Sequence, residues 1–214
     1  MYMKRIEIVF FSLMIIIFSG SAIFAANTEL NGTLGTSYAD DPGKYGLDIS
    51  LHYNWLLDPS FVTGLESGFY WVKWDRKIGE KDVGGSSVDV KADTNAYVIP
   101  VMFNAQVRLP NLKDKLYVTP FATIGLGYSF MILHYSQPDF TDSNTGKSYN
   151  ADSITKLFTG LSWELFFGAS LKPAADSKVD FYAEAGYRSL PLKSGDLELD
   201  MSGLVIRLGV RYPL

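Results

Sequence analysis

The sequence contains no cysteine and only two histidines, His52 and His134. The absence of cysteine excludes disulfide bonds, a thiolate nucleophile, cysteine metal ligands and a lipidated N-terminal cysteine. Two histidines cannot form a His-cluster metal site, so we expect neither a metal nor a cofactor. The net charge of −4 is mild, and we expect no nucleic-acid partner.

A long apolar run occurs only near the N-terminus. Lys4 and Arg5 precede an apolar stretch over residues 8–18, and small residues follow as far as Ala25. This layout predicts a secretory signal peptide over residues 1–25, with cleavage before Ala26, because the apolar stretch is shorter than the about 20 residues of a membrane-spanning helix. The exported part, residues 26–214, is about 190 residues long and fits one domain.

The chain is rich in segments in which apolar and polar residues alternate, a pattern typical of β-strands. One face of each segment carries large apolar and aromatic groups, and the other carries glycine, small polar residues and isolated charges. Eight segments have this pattern: ELNGTLGTSY, KYGLDISLHYNWL, FVTGLESGFYW, YVIPVMFNAQVRL, LYVTPFATIGLGYSF, LFTGLSWELFFGASL, VDFYAEAGYRS and LVIRLGVRYPL. Such faces are typical of strands that contact lipid on one side and a polar lumen on the other.

The segment lengths fit a membrane. About ten residue steps of about 3.3 Å, tilted by about 40°, span roughly 25 Å, the height of the apolar band of an outer-membrane barrel. A sheet in hydrocarbon cannot leave an edge unpaired, so it must close. The sequence therefore predicts an all-β fold, an eight-stranded antiparallel transmembrane β-barrel over residues 26–214.

The connections between the segments alternate in length. Those at 58–59, 110–115 and 172–178 are short, whereas 75–93 and 134–153 are long, polar and glycine-bearing. This asymmetry predicts short periplasmic turns and two long extracellular loops.

Two prolines, Pro100 and Pro120, fall inside predicted strands, where each removes a ladder hydrogen bond. Phe121 also falls on the polar side of its segment. A β-bulge near Pro120 would shift the alternation by one residue, and we predict one there.

The chain resembles the small outer-membrane β-barrel superfamily that includes OmpA-like and OmpW-like proteins. The likeness spans residues 26–214 and depends on the stretches IPVMFNAQVRL, TPFATIGLGYSF and LGVRYPL. It implies Sec-type export to the outer membrane of a bacterium, with outer-membrane lipid and lipopolysaccharide as neighbours. The closing strand also resembles the insertion signal that the barrel-assembly machinery reads, although the chain ends in leucine rather than an aromatic residue. The residues of this signal are Ile206, Leu208, Val210, Tyr212 and Leu214.

One pair of residues suggests catalysis. His134 and Ser136 share a face near the outer end of the fifth segment, and this His-x-Ser pair resembles that of the lipid A deacylases, which are also barrels. A serine nucleophile needs a base in hydrogen-bond reach and an acid to orient that base. Asp139 and Asp142 are the candidate acids, but no supporting spacing singles out either of them.

The inward positions carry charges of both signs. These are Asp48, Glu66, Arg108, Glu164, Asp180, Glu184, Arg188, Arg207 and Arg211. An eight-stranded barrel is only wide enough for side chains to fill it, and an unpaired buried charge is costly, so we expect an interlocked network of ion pairs. It could form a packed polar plug or gate a narrow water path, and the inward glycines leave room for either or for a small apolar ligand.

The last two strands allow the register to be predicted. If Glu184 lies opposite Arg207, then Asp180 lies opposite Arg211, and the hairpin is centred on Gly195-Asp196, a turn that begins with glycine as two-residue hairpins favour. Because a shift by one residue would turn every apolar side chain into the lumen, we predict this register.

Three functions are compatible with these features. The first is a non-enzymatic outer-membrane protein that acts in envelope structure or binds an extracellular ligand through loops 75–93 and 134–153, as a surface antigen does. The second is a small porin or transporter for ions or small apolar molecules. The third is a lipid A-modifying hydrolase.

Overall fold

The computed structural model describes residues 27–113, 117–174 and 177–214. The predicted signal peptide at 1–25 lies outside the described residues. Within the described ranges, no helix is long and apolar enough to cross a membrane.

The described residues form twelve β-strands and a short 3-10 turn at Pro110–Leu112. The strands are β1 (Thr28–Ala39), β2 (Lys44–Leu56), β3 (Phe61–Val83), β4 (Ser86–Arg108), β5 (Thr119–Gln137), β6 (Phe140–Thr141), β7 (Ser148–Tyr149), β8 (Asp152–Leu171), β9 (Asp180–Ser189), β10 (Pro191–Ser194), β11 (Leu197–Asp200) and β12 (Gly203–Pro213).

Eight of these strands close into a ring. β1, β2, β3, β4, β5 and β8 pair in this order, each antiparallel to the next, while β12 pairs with both β1 and β9. The pairing of β8 with β9 closes the ring. The predicted eight-stranded antiparallel barrel is therefore confirmed, and closure gives the backbone of every barrel strand a partner on both sides within the membrane.

Large apolar side chains cover the outside of the ring on every barrel strand. Examples in strand order are Leu34, Ile49, Phe69, Ile99, Leu126, Leu161, Phe181 and Leu208, all of which are exposed. In a soluble protein such a continuous surface would be unstable in water, whereas here it forms the band that contacts lipid.

The predicted bulge near Pro120 is wrong. The pairing of β5 with β4 and with β8 runs without a register shift past Phe121. Phe121 is instead a buried inward side chain that packs edge-on against Tyr182, with ring centroids 5.7 Å apart. Pro120 is tolerated because it lies at the start of its strand.

Pro100, which lies inside β4, is accommodated in a different way. Pairing of β3 with β4 is interrupted beside it, between the pairs Ser67–Val101 and Tyr70–Val98. Its other neighbour, Ser129 of β5, remains paired. The barrel therefore tolerates this proline through a local gap in one ladder.

The first predicted extracellular loop is largely strand, and half of the second is strand. Most of 75–93 belongs to β3 and β4, which continue as a hairpin to a turn at Gly84 and Gly85, both with positive φ. Within 134–153, β5 continues to Gln137, β8 begins at Asp152, and β6 and β7 form a small flap between them. The polar character of these segments predicts loops, but polar residues suit a two-faced sheet in water equally well.

We define the outer parts of β3, β4, β5 and β8 as the projecting sheet. From Trp71 to the end of β3 it extends about 40 Å along the strand. The flap is attached to it, since the N–H of Ser143 donates to the carbonyl of Glu80 at 2.8 Å and Phe140 is buried against Gly79. The projecting sheet and its flap therefore form one folded unit above the barrel, on the side of β3, β4, β5 and β8.

The register of the last hairpin is the predicted one. Glu184 pairs with Arg207 and Asp180 with Arg211, and β10 and β11 continue in the same register to the turn at Gly195 and Asp196. Gly195 has a φ of +61°, a conformation that glycine adopts without steric cost.

Closure makes a prediction for the whole barrel. Because the closed sheet resists unfolding by detergent, we expect the folded, unboiled protein to migrate differently from the boiled chain on a detergent gel. Identical mobility for a sample shown by circular dichroism to be refolded would contradict closure.

Candidate functional site in the barrel lumen

Side chains fill the lumen in three layers. The lower layer, nearest the termini, contains Glu29, Arg108, Asp180 and Arg211, and the middle layer contains Asp48, His52, Glu66, Glu164, Glu184, Arg188 and Arg207. The upper layer is apolar and contains Ala39, Tyr70, Val72, Ala96, Val98, Met131, Phe158, Leu190, Leu192 and Met201. All but Asp180 are buried.

The lower layer is organised around Glu29. Arg108 reaches across the lumen from β4 to form a bidentate ion pair with Glu29 on β1. Arg211 approaches the same carboxylate at 3.3 Å and Asp180 at 3.8 Å. Bidentate arginine–carboxylate contacts are among the strongest polar contacts in proteins, so this layer joins strands that are not neighbours in the sheet.

In the middle layer, Arg188 joins three strands. Its guanidinium donates to Glu164 at 3.0 Å and to Asp48 at 2.6 Å, and lies 3.4 Å from Glu66. These carboxyl groups come from β8, β2 and β3. Arg188 therefore links three strands of the barrel through their carboxyl groups.

Arg207 forms the second centre of the middle layer. It donates to Glu184 at 2.8 Å and to Glu66 at 2.7 Å. Its guanidinium also lies over the ring of Phe166, 4.2 Å from the ring centroid, a geometry that stabilises a desolvated cation. His52 completes the layer, with Nδ1 3.3 Å from Glu66 and Nε2 2.9 Å from the hydroxyl of Ser50.

The upper layer seals the lumen towards the outside. Leu190 and Leu192 on the last hairpin pack with Tyr70, Met131 and Phe158 from the facing strands. An apolar constriction of this kind is a barrier to ions.

A small cavity lies between the lower and middle layers. A cavity of about 20 Å³ is bordered by Asn31, His52, Asn54 and Tyr182 among others. This volume holds about one water molecule. The described residues contain no cluster of ligands that could hold a metal ion.

The structure places every charged residue that sequence analysis assigned to the lumen on the inner face. It also adds Glu29, which shares the alternation of Asn31 and Thr33 and could have been found from that pattern. The apolar upper layer has no clear sequence signal, because residues on both faces of the strands are apolar at this height, for example around Tyr70 and Val98.

The catalytic candidates are not brought together. His134 Nδ1 contacts the hydroxyl of Thr155 at 3.0 Å rather than Ser136. Asp142 binds the backbone N–H groups of Glu80 and Asn144 in the flap, and Asp139 is exposed. The arrangement of these described residues therefore contains none of the contacts that a serine hydrolase requires.

The predicted insertion-signal residues all lie on the outer face. Ile206, Leu208, Val210, Tyr212 and Leu214 are each exposed. The N–H of Leu214 donates to the carbonyl of Thr28 at 2.9 Å, so the last strand closes against the first described strand.

The two carboxylates of β9 differ in environment, and this makes a prediction. Glu184 has an exposed side-chain fraction of 4% and a 2.8 Å ion pair, whereas Asp180 is 22% exposed and 3.8 Å from Arg211. We expect Glu184→Ala to lower the free energy of unfolding by about 1.5–3 kcal/mol, and Asp180→Ala by less than about 1 kcal/mol. Urea titration of the refolded barrel in lipid vesicles measures both, and a larger loss for Asp180→Ala would refute the assignment.

No protein-family model matches the sequence, and no curated protein matches it. Among solved structures, the chain is similar to Neisserial surface protein A, at 14% identity over 87% of this chain and 95% of that one, with a TM-score of 0.43. It is similar to the attachment invasion locus protein of Yersinia pestis at 15% identity over 88% and 97%, with a TM-score of 0.45. It is also similar to a major outer membrane protein from Thermus thermophilus, at 15% identity over 89% and 100%, with a TM-score of 0.49.

The ring closure, the apolar outer band and the filled polar lumen are properties of this chain's own structure. They are the features that a β-barrel needs in the bacterial outer membrane. The chain therefore has the fold of the small eight-stranded outer-membrane β-barrels.

Proposed function

We propose that the protein is a non-conducting, non-enzymatic outer-membrane barrel that acts in envelope structure or through interactions at the cell surface. The observation that carries this proposal is the apolar upper layer, which lies across the lumen between the ion pairs and the outside. A solute would have to displace this layer and then break the two arginine-centred clusters beneath it.

The projecting sheet is the part of the protein available to a partner outside the cell. Just above Trp71, its outward face carries a ladder of alternating charges on β3 and β4. Lys73 contacts Asp93 at 3.4 Å and Lys77 contacts Asp89 at 2.7 Å. Aromatic residues such as Trp71 mark the membrane interface of these barrels, so we place the ladder at the headgroups of the outer leaflet. There it is suited to contact the phosphates and sugars of lipopolysaccharide, and we assign the tip beyond it to an extracellular ligand.

Glu80, on the same hairpin, keeps its negative charge down to low pH. Lys77 first, and then the hydroxyl of Ser87, lower the pKa of Glu80 to about 2. The contribution of this carboxylate to hairpin stability is therefore present above its unfolded pKa of about 4.3 and is lost as the pH falls towards 2. We expect the hairpin to keep its shape throughout the ordinary range of extracellular pH.

The outer face of β12 completes the proposal. Its alternating apolar side chains, from Ile206 to Tyr212, are available before the barrel closes against β1, and we assign them the role of the signal read by the barrel-assembly machinery.

Conductance tests the proposed function. In planar lipid bilayers, we expect the refolded protein to give no steady single-channel steps at moderate voltage. Bilayers without protein supply the baseline, and the gel-mobility assay verifies that the added protein is folded. Reproducible steps of one size would contradict a closed lumen and favour a small porin.

A further inference from the structure

A row of three residues crosses the inner wall in the middle layer. Asn104 of β4 pairs with Gly125 of β5, and Gly125 pairs with Glu164 of β8. Gly125 has no side chain, and the side chains of Asn104 and Glu164 both lean over it. A Cβ atom at Gly125 would lie in contact with Asn104 Oδ1 and 3.0 Å from Glu164 Oε1.

These two oxygens lack a hydrogen-bond donor among the described residues. Asn104 Oδ1 and Glu164 Oε1 are both fully buried and unpartnered. The other polar atoms of the two side chains are occupied, since Glu164 Oε2 accepts from Arg188 at 3.0 Å and Asn104 Nδ2 donates to Glu66 at 2.8 Å. Rotating the amide of Asn104 by 180° would not remove the contact between two acceptors, because the amide oxygen would then face the carboxylate of Glu66.

The charged side chains that face Glu164 from the neighbouring strands carry more negative than positive charge. Carboxyl groups come from β2, β3, β8 and β9 (Asp48, Glu66, Glu164, Glu184), whereas guanidinium groups come from β9 and β12 (Arg188, Arg207) and the imidazole of His52 comes from β2. Even with His52 charged, one negative charge in this layer of described residues has no partner.

We propose that the lumen holds one proton, carried by Glu164 Oε1 and donated to Asn104 Oδ1 above Gly125. Two acceptor oxygens that lie close together in a dry interior repel unless a proton lies between them. The absence of a side chain at Gly125 lets the side chains of Asn104 and Glu164 both lean over it. A metal ion does not fit, because the described residues offer no cluster of ligands there. The proton balances the charge of the middle layer and holds β4 to β8 across β5.

The variant Glu164→Gln tests the site. It replaces the carboxyl group with a neutral amide and provides an N–H donor for Asn104 Oδ1, so we expect it to fold and to be at least as stable as the wild type. Glu198→Gln is the matched control, because Glu198 is exposed and paired only with Lys193 at 3.1 Å among the described residues. Urea unfolding of all three proteins in uncharged phosphatidylcholine vesicles is measured against pH at constant salt.

We expect the unfolding equilibrium constant of the wild type to rise by up to tenfold per pH unit as the pH is raised, because the folded state holds a proton that the unfolded state has released. Infrared spectra should show a protonated carboxyl band that Glu164→Gln lacks and Glu198→Gln retains.

Glu164→Gln should lose this dependence on pH, and Glu198→Gln should keep it. The proposal is overturned if the wild type and Glu164→Gln respond identically to pH. It is also overturned if Glu164→Gln is less stable than the wild type by more than tenfold in the equilibrium constant. Neither readout depends on whether the barrel conducts, so failure here is distinguishable from failure of the proposed function.

Discussion

Replacing Arg207 with methionine should destabilise the barrel by about 3–5 kcal/mol. Arg207 is buried and donates to both Glu184 and Glu66. Methionine preserves much of the side-chain volume but removes the charge, so both carboxylates would keep the cost of burial without their main partner. The free energy of unfolding from urea titration in vesicles measures the effect.

Lys193→Met is the control for Arg207→Met. It removes a positive charge from the same hairpin, but Lys193 is exposed and its partner Glu198 is also exposed. We expect a change below about 1 kcal/mol for this variant. Equal losses for the two variants would show that the lumen network does not contribute to stability beyond its net charge.

Replacing Leu192 with alanine should cost about 2–5 kcal/mol. Leu192 is fully buried in the upper layer. Truncation removes its contacts with the surrounding apolar side chains and leaves a cavity that a closed barrel cannot collapse to fill. Urea titration again gives the change, and bilayer recordings of the same variant test whether a thinner upper layer admits ions.

Leu197→Ala provides a matched comparison for Leu192→Ala. Leu197 lies on the same hairpin, directly after its turn, but it is 48% exposed. We expect a loss of less than about 1 kcal/mol, because little apolar area is removed from contact. A loss at Leu197 as large as that at Leu192 would contradict the assignment of the upper layer as the core of the barrel.

The local sequence pattern is enough to predict much of the barrel wall. The alternation in KYGLDISLHYNWL sets which face of β2 contacts lipid, since side chains on a strand alternate strictly. Charge spacing and the Gly195-Asp196 turn together predict the register of β9 with β12, because two neighbouring strands joined by a tight turn have few ways to pair. Phe121 shows the limit of this approach: its departure from alternation predicts a bulge, whereas the lumen accommodates an aromatic ring beside Tyr182.

The sequence by itself determined the closed sheet, its outer band and the identity of most lumen charges, since these follow from a two-residue period that is local. The tertiary structure decided which charges meet across the lumen, such as Arg108 with Glu29 and Arg188 with Asp48. It also decided that the polar hairpin at 75–93 is sheet and that Leu190 and Leu192 close the outer end. These outcomes depend on the stagger and curvature of the whole ring, which bring side chains from distant strands to the same height, and no single segment encodes that height.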